Sequence, residues 1–204
     1  MFDTRIRKAI DPVLDTIGRG LAARGIGANT VTVAGFILGI VAALFIIQQA
    51  YLWGLVFILA SRLCDGLDGA VARATQKTDL GGFLDIVLDF AFYGLIPMAF
   101  ILADPAGNAI AGGLLLLSFY VNGATFLTYA LMAEKRGVSE TARGKKSLLY
   151  TTGLAEGTET IVVFVLFCLL PGYFAPIALI FAPIVMITLV ARILLAATEF
   201  RDSA

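Results

Sequence analysis

Tyr51–Arg73 reads YLWGLVFILASRLCDGLDGAVAR. Its apolar part, Tyr51 to Leu63, is interrupted only by Ser61 and Arg62. At ~1.5 Å per residue that part is too short to cross the ~30 Å hydrocarbon layer of a bilayer. A spanning helix must therefore continue through Asp65 and Asp68 to about Arg73, which leaves both carboxylates near one membrane boundary. The next apolar segment, Gly82–Leu102, opens with Gly82, Asp85 and Asp89. Two consecutive helices joined by a short loop thus carry acidic clusters at one depth.

The rest of the chain fits this frame. Of 204 residues, 59% are hydrophobic and 15% charged, against about 45–50% and about 25% in soluble domains. The excess lies in long runs such as Ile161–Leu170 and Ala175–Leu195, which mark transmembrane helices. Six spans are predicted: Thr30–Gln48, Tyr51–Arg73, Gly82–Leu102, Asn108–Met132, Thr152–Leu170 and Tyr173–Thr198. Before them, Phe2, Ile6, Ile10, Val13, Leu14, Ile17 and Leu21 recur at helical spacing, with Arg5, Arg7, Lys8, Asp11, Asp15 and Arg19 opposite. That pattern predicts an amphipathic helix over residues 1–24, lying in the interface and bent at Pro12. The expected fold is all-α, a single membrane domain over 1–204, with a six-helix transmembrane bundle over 30–198.

Charge fixes the expected orientation. With the N-terminus in the cytoplasm, all 15 Lys and Arg residues fall at or near the cytoplasmic side. The opposite connections, Gln49–Ala50, Ala103–Gly107 and Pro171–Gly172, contain none, as the positive-inside rule requires. Net charge is zero, so nothing points to nucleic acid. Cys64 and Cys168 lie in or beside apolar segments and suggest no disulfide framework. The chain has no histidine, so catalysis must rest on carboxylates, hydroxyls or hard metal ions.

On a helix, Asp65, Asp68, Gly69, Ala72 and Arg73 fall at i, i+3, i+4, i+7 and i+8, a single face. Gly82, Asp85 and Asp89 share a face of the next helix at i, i+3 and i+7. Two antiparallel helices could join these faces and surround one pocket with four carboxylates. Such groups are costly in a span and normally face a cavity or partner. Close together they repel unless cations compensate them. Oxygen ligands without His or Cys suit Mg²⁺ or Mn²⁺.

Asp65, Asp68, Gly69, Ala72 and Arg73, then eight residues, then Gly82, Asp85 and Asp89 match every position of the signature of the CDP-alcohol phosphatidyltransferases. The chain resembles that family throughout, and is similar to bacterial inner-membrane members and phosphatidylglycerophosphate synthases. The resemblance implies that Asp65, Asp68 and Asp85 bind two divalent ions, with Asp89 touching one and acting as base. It implies that Gly69 and Gly82 admit the cytidine nucleotide, Ala72 keeps space clear and Arg73 grips phosphate. Asn29 and Thr32 match an Asn-x-x-Thr of the family, and Thr78 lies where relatives carry a nucleotide-contacting hydroxyl. A homodimer is also implied.

The implied reaction moves a phosphatidyl group from CDP-diacylglycerol to a small alcohol and releases CMP, as in phospholipid biosynthesis. Two ions about 3.5–4 Å apart suit a diphosphate substrate, and a carboxylate within hydrogen-bond reach can take the acceptor's proton. Direct in-line attack is the simpler course, since no strong side-chain nucleophile is evident. Glycerol 3-phosphate is the first choice of acceptor; inositol phosphate, serine and phosphatidylglycerol are the alternatives. An intramembrane cation transporter is the competing class, but it leaves Gly69, Ala72, Arg73 and Gly82 unexplained.

Several residues carry two readings. Asn29 either caps the first span or touches substrate. Arg143, Lys145 and Lys146 either enforce topology and attract anionic lipid or hold an acceptor phosphate. Glu156 and Glu159 suit a helix N-terminus or a polar pocket, and Arg192 either pairs with one of them or faces the acceptor. Gly112 and Gly113 are expected to permit close helix contact, and Cys64 to pack.

Overall fold

The computed structural model describes residues 2–136 and 157–200, with side chains from residue 10 onward. It is all-α: α1 is Phe2–Ala23, α2 Ala28–Ile47, α3 Tyr51–Ala74, α4 Asp79–Ala103, α5 Pro105–Lys135, α6 Gly157–Leu169 and α7 Phe174–Glu199. A single 3₁₀ turn, Pro171–Tyr173, leads into α7. Four stretches among the described residues are long and apolar enough to cross a membrane: α2, α4, α5, and α7 with its leading turn. Their outward faces carry exposed Ile37, Leu44, Val87, Ile110, Leu117, Ile180 and Leu194. Apolar side chains in such density on the outside belong against lipid, and the protein is a membrane protein.

α3 reaches to Ala74 over 24 residues, about 36 Å at ~1.5 Å each, so its acidic end is part of one continuous helix. α4 starts three residues earlier than the apolar pattern indicates. Thr78 is its N-cap, the hydroxyl accepting a hydrogen bond from the Gly81 N–H at 3.0 Å, and Asp79 in the first turn suits the helix dipole. Asp104 caps α5 in the same manner, with Pro105 in the first turn. The helix α1 runs unbroken through Pro12. Between α1 and α2 the chain turns at Gly25, whose φ of +79° glycine adopts without strain.

α2 is the hub of the N-terminal half. It packs on α3 and on α4, whereas the backbones of α3 and α4 make little direct approach. The close fit comes from small residues. A Cβ at Gly35 would lie 2.8 Å from the Cys64 Cβ, and one at Gly54 would lie 2.7 Å from Ile46 Cγ1. On the other side α5 packs against α4 and α7, and α6 against α3 and α7. Phe92, Phe100, Phe164, Phe167 and Phe174, all fully buried, fill the centre, with Phe100 and Phe174 stacked at 5.0 Å. At the helix contact between α4 and α5, Gly112 behaves as expected, because a Cβ there would strike Ile101 Cγ1 at 2.5 Å. Gly113 does not: an added Cβ would meet nothing within 4 Å.

α1 crosses α3 where Gly18 meets Ala70, with a Cβ on Gly18 only 2.8 Å from the Ala70 Cβ and 2.9 Å from its carbonyl carbon. Leu14, Leu67, Ala70 and Val71 close a small second core around this crossing.

Candidate active site

All four signature aspartates line one small cavity at the ends of α3 and α4. The helices do not achieve this by packing directly along one another, as the helical spacing suggested. Instead α2 serves as a common platform, contributing Thr32, Gly35 and Phe36 to the cavity. α3 adds Ser61, Arg62, Asp65 and Asp68, and α4 adds Asp85, Leu88 and Asp89.

Each carboxylate meets different surroundings. Asp68 is buried, at 6% exposure, and accepts a 2.6 Å hydrogen bond from the Thr32 hydroxyl. Arg62 lies between Asp89 and Asp65, its Nη1 donating to Asp89 Oδ1 at 2.5 Å and standing 3.5 Å from Asp65 Oδ1. Its Nη2 donates to the Ser61 hydroxyl at 3.3 Å. The guanidinium also lies over the Phe92 ring, 3.7 Å from its centroid. Asp85 is exposed.

The donor set is carboxylate and hydroxyl oxygen, which fits hard divalent ions such as Mg²⁺ or Mn²⁺. As the side chains stand, no group of three or more Asp, Glu, Cys or His among the described residues is gathered tightly enough to hold an ion. Thr32 is bonded to Asp68, and Arg62 is bonded to Asp89 and faces Asp65.

The residues expected at the donor substrate divide. Thr32 is in the cavity, but its hydroxyl serves Asp68. Gly69, Ala72, Arg73 and Gly82 are outside the carboxylate cavity, on the part of the site nearer the helix termini. At Gly82 an added Cβ would meet nothing within 4 Å. Arg73 is half-exposed and gives Nε and Nη2 to a single oxygen of Asp15 on α1, at 3.1 and 2.7 Å. Asn29 does not cap α2: Gly27 is the N-cap and Asn29 is already inside the helix. The Asn29 Oδ1 instead faces Gly81, where a Cβ would lie 2.9 Å away. Thr78 is occupied as the cap of α4.

A second cavity of about 890 Å³ shares Asp65 and Asp89 with the first. Its polar lining includes Tyr93, Asn122, Thr158, Thr160 and Arg192. Arg192 donates through Nη1 to the Asn122 backbone and side-chain oxygens at 3.1 and 3.0 Å, and to the Thr125 hydroxyl at 3.1 Å. Arg143, Lys145, Lys146 and Glu156 lie outside the described residues.

Sequence reasoning missed Arg62, Asn122 and the platform role of α2. Arg62 could have been found, because it stands three residues before Asp65 on the acidic face of α3. Asn122 carried no such signal, since its partner Arg192 is 70 residues away.

An all-α fold with lipid-facing apolar helices and a carboxylate-lined cavity beside a larger polar one defines an integral membrane protein. The chain belongs to the CDP-alcohol phosphatidyltransferase family, whose model matches residues 25–196, and it is a membrane phosphatidyltransferase. That membership sets aside the transporter reading. The chain is similar to the inner membrane protein YnjF of Escherichia coli, at 46% identity over 193 residues, covering 95% of this chain and 94% of that one. It is 28% identical to the archaetidylinositol phosphate synthase of Methanothermobacter thermautotrophicus over 167 residues, 79% of this chain and 72% of that protein. Its fold matches the crystal structure of Mycobacterium tuberculosis phosphatidylinositol phosphate synthase (PgsA1) with CDP-DAG bound. The TM-score is 0.75 at 22% identity, over 95% of this chain and 98% of that one.

Proposed function

We propose that this protein transfers a phosphatidyl group from CDP-diacylglycerol to a small phosphorylated alcohol, releasing CMP. The convergence of Asp65, Asp68, Asp85 and Asp89 on one cavity, which shares Asp65 and Asp89 with a second polar cavity, carries this reading. One cavity suits the diphosphate and the other the acceptor.

Asp65, Asp68 and Asp85, with Asp89 at one side, would hold two Mg²⁺ or Mn²⁺ ions. When bound, such ions neutralise a diphosphate and stabilise the leaving group. Arg73 exchanges Asp15 for a donor phosphate, and the open space at Gly82 admits the nucleotide beside Gly69 and Ala72. Asn29, Thr32 and Thr78 line the approach to that nucleotide. Asp89 faces both cavities, so its carboxylate can take the acceptor hydroxyl's proton as the oxygen attacks the lipid-bearing phosphorus. The bond to CMP then breaks, in line and without a covalent enzyme intermediate.

Arg192 supplies positive charge to the acceptor cavity, and Arg143, Lys145 and Lys146, which lie outside the described residues, are the further candidates to bind an acceptor phosphate. Arginine's planar fork suits phosphate. Glycerol 3-phosphate is the acceptor we favour. An inositol phosphate is the second reading, favoured by the names of the Methanothermobacter and Mycobacterium relatives. We further propose six spans, α2 to α7, in one membrane domain. In this reading α1 lies in the interface, the N-terminus and site face the cytoplasm, and the protein works as a homodimer.

The acceptor is tested by incubating purified protein with CDP-diacylglycerol and, separately, glycerol 3-phosphate, inositol phosphate, serine and phosphatidylglycerol, and identifying the lipid product. A phosphatidylglycerophosphate product is expected. An inositol phosphate lipid supports the second reading. Turnover with serine or phosphatidylglycerol alone overturns the phosphate pocket.

A further inference from the structure

Arg62 is a cation at the centre of the acidic cavity to which the family signature gives no part. Its side chain is only 11% exposed, and it is fixed from three directions. Asp89 and Asp65 face its Nη1, Ser61 accepts from Nη2, and Phe92 lies under its plane. Phe92 is itself fully buried and sits where it does because Gly39 leaves room; a Cβ there would lie 2.7 Å from Phe92 Cδ2. A stacking platform has thus been built beneath the guanidinium.

One feature of the contact is unresolved: Arg62 Nε is buried with no hydrogen-bond partner. A buried donor left unpaired is costly. Here the geometry aims the Nη1 charge at two carboxylates and leaves Nε unpaired. Those two carboxylates are members of the set that, on the reading above, binds divalent ions.

We infer that Arg62 is a positioning residue that acts as a resident cation. It holds Asp65 and Asp89 in the ion-free protein and competes with divalent ions for them, so it sets the affinity of the ion site. Four carboxylates lining one cavity repel one another without a cation, and Arg62 supplies one positive charge against four negative. Divalent ions offer more charge in less space and take over the compensation when they arrive.

This inference rests on the reading of the four aspartates as an ion site, and the test separates the two. The full chain in detergent is titrated with Mn²⁺ alone, and free Mn²⁺ is measured by electron paramagnetic resonance. Arg62→Met keeps bulk and removes charge. It should tighten Mn²⁺ binding by about five-fold or more, because a unit positive charge beside the ion is gone. Arg62→Lys should stay within about two-fold of wild type, since the charge remains. A merely structural arginine predicts weaker binding or no change on Arg62→Met, and either result overturns the inference while leaving the ion site standing. Wild type that binds no Mn²⁺ overturns both. If Arg62→Met cannot be purified folded without metal, refolding restored by Mn²⁺ supports the resident-cation role. Failure with Mn²⁺ present as well overturns it, because packing would then need Arg62 even with the ions bound.

Discussion

Thr32→Val removes one oxygen and nearly nothing else. The threonine hydroxyl donates to the buried Asp68 carboxylate at 2.6 Å and approaches the Ala28 carbonyl at 3.1 Å, and valine keeps the β-branched shape. A hydrogen bond to a charged group contributes about 1.5–3 kcal/mol. Groups that orient ion ligands are worth about 10–100-fold in ion affinity. At about 1.4 kcal/mol per factor of ten the two figures agree. Thr32→Val should therefore raise the half-saturating Mg²⁺ concentration for CMP release about 10–100-fold, with a smaller loss at saturating Mg²⁺. Thr32→Ser, which keeps the hydroxyl, should recover most of the difference. The assay is a Mg²⁺ titration of CMP release from CDP-diacylglycerol, with helix content checked by circular dichroism. A Thr32→Val protein whose Mg²⁺ requirement matches wild type would show that Asp68 does not depend on Thr32, and the inferred ligand role of Asp68 would lose its support.

Three further substitutions probe other parts of the account. Asp89→Asn keeps an oxygen for Arg62 but cannot take a proton; it should lose about 10²–10⁴-fold in kcat while CDP-lipid binding stays near normal, and near wild-type kcat at saturation would move the base elsewhere. Arg192→Ala withdraws the guanidinium from the second cavity and should raise the KM for a phosphorylated acceptor with little effect on the donor KM; equal effects on both, or none, would contradict an acceptor role. Gly18→Val drives a side chain into the Ala70 backbone, 2.9 Å from where its Cβ must sit. It should cost about 1–3 kcal/mol of overpacking, lift α1 from α3 and break the Asp15–Arg73 pair. Unchanged thermal stability would show that the crossing adjusts freely.

The apolar helices were legible because lipid imposes a simple rule: a segment that crosses it must be a long apolar run. The start of α4 was misjudged by three residues because Thr78 and Asp79 extend the helix with a cap and a dipole-compatible acid rather than with apolar side chains. The four aspartates were readable from helical spacing and signature together. Their mutual arrangement was not, because it depends on α2. The close approaches at Gly35 and Gly39 look, in sequence, like ordinary small residues in an apolar run. Arg62 was passed over as an interruption of a span, although its offset from Asp65 puts it on the acidic face. Arg73 was expected on a phosphate, and in the structure it rests on Asp15, a partner 58 positions away that spacing within one helix cannot suggest.

The central claim is that these carboxylates form an ion-dependent centre that cleaves the diphosphate of a CDP-lipid. The direct measurement is CMP release from CDP-diacylglycerol by purified protein with a saturating acceptor, before and after chelation and on restoring Mg²⁺ or Mn²⁺. It is repeated with Asp65→Asn, Asp68→Asn and Asp85→Asn proteins shown to be folded and membrane-inserted. The account predicts release that stops with chelator, returns with either ion and is absent in all three variants. Undiminished release in excess chelator, with metal content confirmed as negligible, would contradict it.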